Sequence, residues 1–364
     1  MTKLFSGIYR NKKVLITGTT GFKGSWLALW LQQLGAEVLG FSLPPNTTPS
    51  HFNLLNLSMQ NISGDIRDLQ ILKKTFQDFQ PDIVFHMAAQ ALVLPSYADP
   101  IETYTTNVTG SLNIYEAARS TPSVKAIVSI TTDKVYENKE WDWGYRENDR
   151  LGGYDPYSSS KACMEIMTSS YRNSFLKLKY FGNKHHILLA TVRAGNVIGG
   201  GDWAAQRLIP DIARSTSAGQ TVVVRNPHST RPWQFVLEPL AGYLNLGKKL
   251  LEKDTFFAQA WNFGPSEPAE WSVEKVLLYA KTVWPSLNYK VDAAEKSHEA
   301  KLLKLDCTMA QKYLAWQPIW TTEETLKHTM NWYKNFYEND SLCTQQDLMA
   351  FVSSAIDKKL DWAK

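Results

Sequence analysis

Cysteine is scarce in this chain. Cys163, Cys307 and Cys343 are the only three in 364 residues, an odd number without the spacing of a metal site. That excludes a disulfide-built framework, gives no reason to expect a metal, and fits a reducing, cytoplasmic setting. Long apolar runs are missing as well. None reaches membrane-spanning length, and residues 1–13 lack the apolar core of a signal peptide, so no membrane association is expected. Internal repeats and low-complexity tracts are absent. An excess of one charge is also lacking: a net charge of +4 is too small and too dispersed for a nucleic-acid surface. It still allows a locally basic pocket for an anionic small molecule. What is present is a globular composition, 44% apolar and 20% charged, in a chain long enough for two lobes. The 13 tryptophans are many, and several fall in segments that read as loops.

The chain is organised around residues 14–41, VLITGTTGFKGSWLALWLQQLGAEVLGF. Val14 to Thr17 has the length and apolar character of a buried strand. Gly18, Gly21 and Gly24 follow at three-residue spacing, then an apolar helical run from Trp26 to Leu34 with Gly35 as its cap. Val38 to Phe41 completes a βαβ unit. Glycines at such a turn let the backbone approach a pyrophosphate, which meets the free N–H groups and positive end of the helix. The pattern predicts a dinucleotide site. No Asp or Glu lies between Val38 and His51 to take the adenosine ribose, and no Arg stands there for a 2′-phosphate. The missing cation favours NAD. Asp65, in SGDIRD beside Ile66, is placed near the adenine, with a helix N-cap as its alternative. Pro81 to Ala89 reads as a strand whose small terminal residues, Ala88 and Ala89, leave room for the cofactor. His86 inside it is expected to be a hydrogen-bonded core residue. Asn107 falls on a helical pattern, positioned to bond the backbone behind the site.

A strand over Ala126–Ile130 runs into TTDKVYEN, and a loop leads to Tyr157 and Lys161. Positions i and i+4 share a helix face, so a lysine cation would lie beside the phenol and lower its pKa. Thr132 would bond the same substrate hydroxyl. Beyond Leu188 another strand, LLATVRAGNVIG, leads through GGGDWAAQRLIPD to a helix expected after Pro210. Arg193, Asn196, Arg207 and Arg231 supply the cations and amide of a substrate side, since the planar Arg fork suits diphosphates. Trp203 and Trp233 are candidates for stacking on a base or sugar, with core packing as the alternative. Val273 to Val283 and Thr322 to Tyr337 have helical spacing.

The TGTTGFKG turn (which includes Phe22), the HMAA strand end, TTDKVY, Tyr157 with Lys161, VRAGNVIGGGDW and LDCTMAQKYLAWQP together resemble the extended short-chain dehydrogenase/reductase family over about residues 10–335. Within it, GTTGFKGSWLALWL, TTDKVYEN, GGGDWAAQRLIPD and NPHSTRPWQFVLEPLAGYL are most similar to the nucleotide-sugar 4,6-dehydratases, in particular the branch acting on CDP-glucose. RPWQF departs from the acidic-aromatic segment usual in relatives. The resemblance implies an α/β fold, a doubly wound parallel Rossmann sheet over residues 1–195 with 196–345 mostly a smaller α/β substrate lobe that sends return segments to the Rossmann sheet. Residues 346–364 remain as a C-terminal extension. It implies NAD as a recycled cofactor, CDP-glucose as the small-molecule substrate, and a homodimer or higher homo-oligomer. It places Asn196, Arg207, Leu208, Arg231 and Trp233 with the substrate. Asp133 would act as acid at carbon 6 and Lys134, once it sheds its proton, as base at carbon 5. An epimerase, a simple 4-dehydrogenase or a non-catalytic nucleotide-binding regulator are the rival classes. The Asp133–Lys134 pair argues against the first two, and intact Thr132, Tyr157 and Lys161 against the last.

Overall fold

The computed structural model describes residues 1–224, 226–265, 270–292 and 302–364. Strand β1 (Lys13–Thr17) is followed by α1 (Phe22–Gln33), β2 (Glu37–Ser42), β3 (Gln60–Ser63), α2 (Leu69–Phe79) and β4 (Ile83–His86). Next come α3 (Ser111–Arg119), β5 (Ala126–Ile130), α4 (Pro156–Ser174), β6 (Leu188–Ala194), α5 (Leu208–Ser217), α6 (Leu237–Leu251) and β7 (Ala260–Phe263). Helices α7 (Val273–Val283), α8 (Thr322–Asn339) and α9 (Thr344–Asp357) close the chain. The seven strands form one parallel sheet in the order β3-β2-β1-β4-β5-β6-β7. The order reverses between β1 and β4, the place where open α/β sheets open a crevice at their carboxyl ends.

Alternation along each strand divides the core into two faces. Val14, Ile16, Ile83, Phe85, Val128 and Ala190 pack with α1, α6 and α9. Leu15, Leu39, Val84, Ile127 and Leu189 pack with α2, α3 and the Tyr171 end of α4. Helix α1 stops because Gly35 adopts φ +82° and donates to the Gln32 carbonyl, while Ala36 N–H reaches back to Leu31 O at 3.0 Å.

The second lobe is built from α5, α7, α8 and three two-stranded ribbons. Its core holds Trp203, Trp233, Trp284, Met330, Trp332 and Tyr333. Helix α5 begins at Leu208, before rather than after Pro210, and Pro210 sits in its first turn, where a missing N–H leaves no bond unmade.

Residues 346–364 are continuous with the Rossmann core. Leu348, Phe351, Val352, Leu360 and Trp362 belong to the largest apolar cluster. Trp362 stacks on Phe5 at 4.9 Å and meets Trp30 edge-on at 5.7 Å. Each such ring buried contributes on the order of 2–3 kcal/mol. Polar bonds run the same way: His51 accepts or donates to Ser25 of α1 (2.7 Å) and to Thr344 of α9 (2.9 Å), and Trp332 Nε1 donates to Thr344 (2.9 Å). The extension thereby locks the outer face of α1.

Candidate active site

The glycine turn lies at the carboxyl end of β1. Gly18 has φ +76°, and a Cβ there would come within 2.7 Å of Ala88 N; one at Gly24 would meet Gly18 O at 2.2 Å. Gly21 N–H closes the turn on Gly18 O at 3.1 Å, and Phe22 opens α1. No side chain fits between the turn, the helix and the end of β4, so bare backbone N–H groups are left to face a ligand. Thr17 Oγ1 accepts from Met87 and Ala88 N–H (3.1 and 3.2 Å), fastening β4 to the turn, and Ala89 follows.

His86 bonds Thr17 at 2.7 Å and Ser111 at 2.8 Å, and burial pushes its imidazole down to about 3. It is a satisfied neutral core residue. Asn107 is fully buried with its amide spent: Oδ1 accepts from Gln90 N–H, and Nδ2 donates to Gln90 O and Ser160 Oγ. It braces the strand-end loop against α4, bonding backbone behind the site, the role its place in the sequence suggested. Ile66 is buried against Gly110. Asp65 caps no helix, since Asp68 caps α2 and Asp65 binds Arg67 in a fork.

Beyond β5 the chain turns into a short 3-10 segment, Asp133–Val135, with Thr132 at its N-cap. Thr132 Oγ1 donates to Asp133 Oδ1 at 3.0 Å. Asp133 is buried, and desolvation raises its pKa against the opposing charges of Lys134 and Lys23 and the Thr132 bond. Helix α4 starts where Asp155 accepts from Ser158 N–H at 2.9 Å and Pro156 takes the first position. One turn separates Tyr157 from Lys161, both buried on the inner face.

Their electrostatics differ from expectation. Burial pushes the Tyr157 phenol up to about 12; Asp133 adds to the rise, while Thr132 and Arg207 lower it. Lys161 does not bring the phenol down: its Nζ donates to Ile130 O at 3.0 Å, and burial drives it to about 7, with Glu165 opposing and Lys23 assisting. Desolvation outweighs the charge pairing that sequence spacing suggested.

Lys23 was missed. Burial lowers it to about 8, Arg207 lowers it further, and Asp133 and Asp202 raise it. A cation in the first turn of a helix, at the positive end of the dipole, was the available signal. The structure thus gathers Lys23, Asp133, Tyr157, Lys161 and Arg207 into one electrostatic neighbourhood.

On the second-lobe side, Arg207 pairs with Asp202 at 2.9 Å beside Leu208. Asn196 O accepts from Gln234 N–H at 3.1 Å. Arg231 sits partly buried on the Thr230–Pro232 ribbon and donates to Thr230 O. Trp233 and Trp203 take the core alternative, which corrects the placement of Trp233 with the substrate: the first donates Nε1 to Trp271 O, the second to Tyr337 Oη, and both rings are buried. Arg193 is spent in a buried pair with Glu165 at 2.9 Å. Among the described residues no group of three His, Cys, Asp or Glu could hold a metal ion, and no helix is long and apolar enough to cross a membrane.

A Rossmann sheet with a glycine turn, a Thr-Asp-Lys segment and a Tyr-Lys pair at its switch point defines an extended short-chain dehydrogenase/reductase. Residues 15–329 match the family model described as GDP-mannose 4,6 dehydratase. The chain belongs to that family. It is 46% identical over 351 residues to the CDP-glucose 4,6-dehydratase of Salmonella typhimurium, covering 95% of this chain and 98% of that one. It is 27% identical over 335 residues to the UDP-glucose 4-epimerase of Halalkalibacterium halodurans, covering 88% and 95%. In fold it is similar to the UDP-glucose 4-epimerase of Thermotoga maritima (TM-score 0.75, 21% identity, 90% and 100% covered). It is likewise similar to a dTDP-glucose 4,6-dehydratase of Streptomyces venezuelae determined with NAD (0.73, 20%, 90% and 99%).

Proposed function

We propose that the protein converts CDP-D-glucose to CDP-4-dehydro-6-deoxy-D-glucose and water, with NAD bound and recycled. The observation that carries the reading is Asp133, buried and hydrogen-bonded to Thr132, in the same electrostatic neighbourhood as Tyr157. An epimerase needs no acid there. The 46% identity to a CDP-glucose 4,6-dehydratase along nearly the whole chain supports both the reaction and the nucleotide.

The glycine cradle fits a dinucleotide, since a Cβ at Gly18 or Gly24 would collide with backbone. Gly18, Gly21, Phe22, Gly24, Ile66, Ala88 and Ala89 would hold it. When bound, NAD supplies the acceptor for the hydrogen at carbon 4 and the source of the hydrogen delivered to carbon 6.

In this reading Tyr157 takes the proton of the hydroxyl at carbon 4, and Thr132 bonds the same oxygen. The carbonyl formed there acidifies the hydrogen at carbon 5, which Lys134 removes. Asp133 gives its proton to the hydroxyl leaving carbon 6 as water. Its raised pKa favours the protonated form that an acid needs. Protonated Asp133 also no longer adds to the rise of Tyr157, which burial chiefly causes. Asn196, Arg207, Leu208 and Arg231 hold the nucleotide diphosphate side.

Two copies pair through the face beside α4. Leu94, Tyr97, Ile101 and Ile166 are each more than half exposed there, an apolar surface suited to a second copy. Sedimentation equilibrium tests this. The free Cys163, Cys307 and Cys343 accord with a cytoplasmic location.

Product analysis with CDP-, dTDP-, UDP- and GDP-glucose tests the whole reading. A 4-dehydro-6-deoxy product from CDP-glucose is expected. A 4-epimer, or no product, overturns it.

A further inference from the structure

The Thr132–Asp133–Lys134 segment follows β5, whereas Tyr157 and Lys161 belong to α4, so something must hold the two in register. Glu165 lies one turn beyond Lys161 and is 2% exposed. Its Oε1 accepts from Thr131 Oγ1 at 2.6 Å and Arg193 Nε at 2.9 Å. Its Oε2 accepts from Thr191 Oγ1 at 2.7 Å and Arg193 Nη2 at 3.0 Å. Arg193, 3% exposed on β6, turns its remaining nitrogen to the Tyr136 hydroxyl at 2.7 Å and Glu147 O at 2.9 Å. Tyr136 in turn donates to Asn262 Oδ1 of β7 at 2.8 Å.

The positions of these partners matter. Thr131 immediately precedes Thr132, and Tyr136 immediately follows the Asp133–Val135 turn. One buried ion pair therefore grips both ends of the segment that carries the acid and the base. Its carboxylate rides on the helix that carries Tyr157 and Lys161. Stability alone is a weak reason for such a pair, because apolar packing of the same volume is often as good. Geometry is the stronger one: a two-pronged Arg–carboxylate contact fixes direction as well as distance.

We propose that Glu165 and Arg193 are positioning residues that set the Thr132–Asp133–Lys134 segment against Tyr157 and Lys161 without touching substrate. The inference rests on the dehydratase reading only for the roles of those residues. Removing either charge would strand its partner in the core and unfold the site, so the test removes one uncharged hydroxyl at each grip instead. These are Thr131 Oγ1, with its bonds to Glu165 and Val192 O, and Tyr136 Oη, with its bonds to Arg193 and Asn262. Thr131→Val, Tyr136→Phe and the conservative Thr131→Ser are compared with the wild type. Turnover is counted per site that binds CDP by calorimetry, so loss of folded protein cancels.

Thr131→Val and Tyr136→Phe are expected to lose about ten- to a hundred-fold in kcat per site, with KM and CDP affinity within about two-fold of wild type. Thr131→Ser should retain turnover. Wild-type turnover per site in both Thr131→Val and Tyr136→Phe, with only a lower melting temperature, makes the pair structural and overturns the proposal. If the wild type acts on another nucleotide sugar, the preceding reading fails separately. The same comparison then runs on that substrate with its nucleoside diphosphate as the binding probe.

Discussion

Asp65 holds Arg67 in a fork: Nε lies 2.9 Å and Nη2 2.6 Å from Asp65 Oδ2, just past the carboxyl end of β3. Arg67 is raised and Asp65 lowered, each chiefly by the bond between them. This edge of the sheet is also that of the glycine turn, because all strands are parallel. The cation that could meet a 2′-phosphate is therefore committed to a carboxylate. Wild type should bind NAD in preference to NADP by calorimetry. Asp65→Asn should release Arg67 and narrow the preference by about ten-fold through stronger NADP binding. An unchanged NAD-to-NADP ratio in the variant would place this pair outside the cofactor site.

Arg231 and Trp233 are two residues apart and should behave oppositely. Arg231→Ala should raise KM more than it lowers kcat, on the order of 2 kcal/mol for a partly buried contact to diphosphate. Trp233→Ala empties part of the second-lobe core and should lower stability by roughly 3–5 kcal/mol, with KM nearly unchanged where the protein is folded. Denaturant melts and steady-state kinetics on both variants separate the roles. A large KM effect from Trp233→Phe, which keeps a ring in the core, would return that residue to the substrate.

His51 ties α1 to α9 in its neutral form, and burial lowers its pKa from 6.5 to about 3. The sign follows from linkage. Its folded-state pKa is depressed, so the unfolded chain binds the proton first. The contribution is present above pH 6.5 and is lost as pH falls from there toward 3. A tenfold difference in proton affinity between the folded and unfolded chain corresponds to about 1.4 kcal/mol. Unfolding free energy should therefore drop through this window. His51→Gln should be less stable at pH 7 yet show a shallower acid slope, with His86 and carboxylates held below their usual range, Glu165 among them, still contributing. Parallel slopes in the two proteins would remove His51 from the acid response.

Much of the fold could be read from local pattern. β5 has the expected bounds, Ala126–Ile130, and α7 those of Val273–Val283, because a buried strand and an amphipathic helix declare themselves by period and length. The glycine turn was legible for a similar reason: its residue types answer a backbone demand. Burial of individual side chains was not legible. Trp203 and Trp233 sit in loop-like stretches, and only packing against Trp332, Tyr333 and Trp271 makes them core. Residues 346–364 read as an appendage because their partners, Phe5 and Trp30, lie at the other end of the chain. The Tyr157 phenol was misjudged because one neighbour is visible in sequence and desolvation is not.

Asp133 and Lys134 adjoin in sequence but should fail in different ways. Proton-transfer groups contribute about a hundred- to ten-thousand-fold, so Asp133→Asn and Lys134→Ala should each suppress dehydration to that extent. Deuterated water separates them. If Lys134 takes the hydrogen from carbon 5, Asp133→Asn still opens that bond and returns substrate labelled at carbon 5, since only the departure of the hydroxyl is blocked. Lys134→Ala should leave recovered substrate unlabelled. Asp133 takes its side-chain hydrogen bond from Thr132 and not from the Lys134 ammonium, so its acid function should survive in the second variant. Recovered CDP-glucose is analysed by mass spectrometry and proton NMR after partial turnover. Label at carbon 5 in Lys134→Ala at the rate seen in Asp133→Asn would assign the base to another group. An unlabelled substrate pool in Asp133→Asn would show that proton removal and hydroxyl loss are one concerted event.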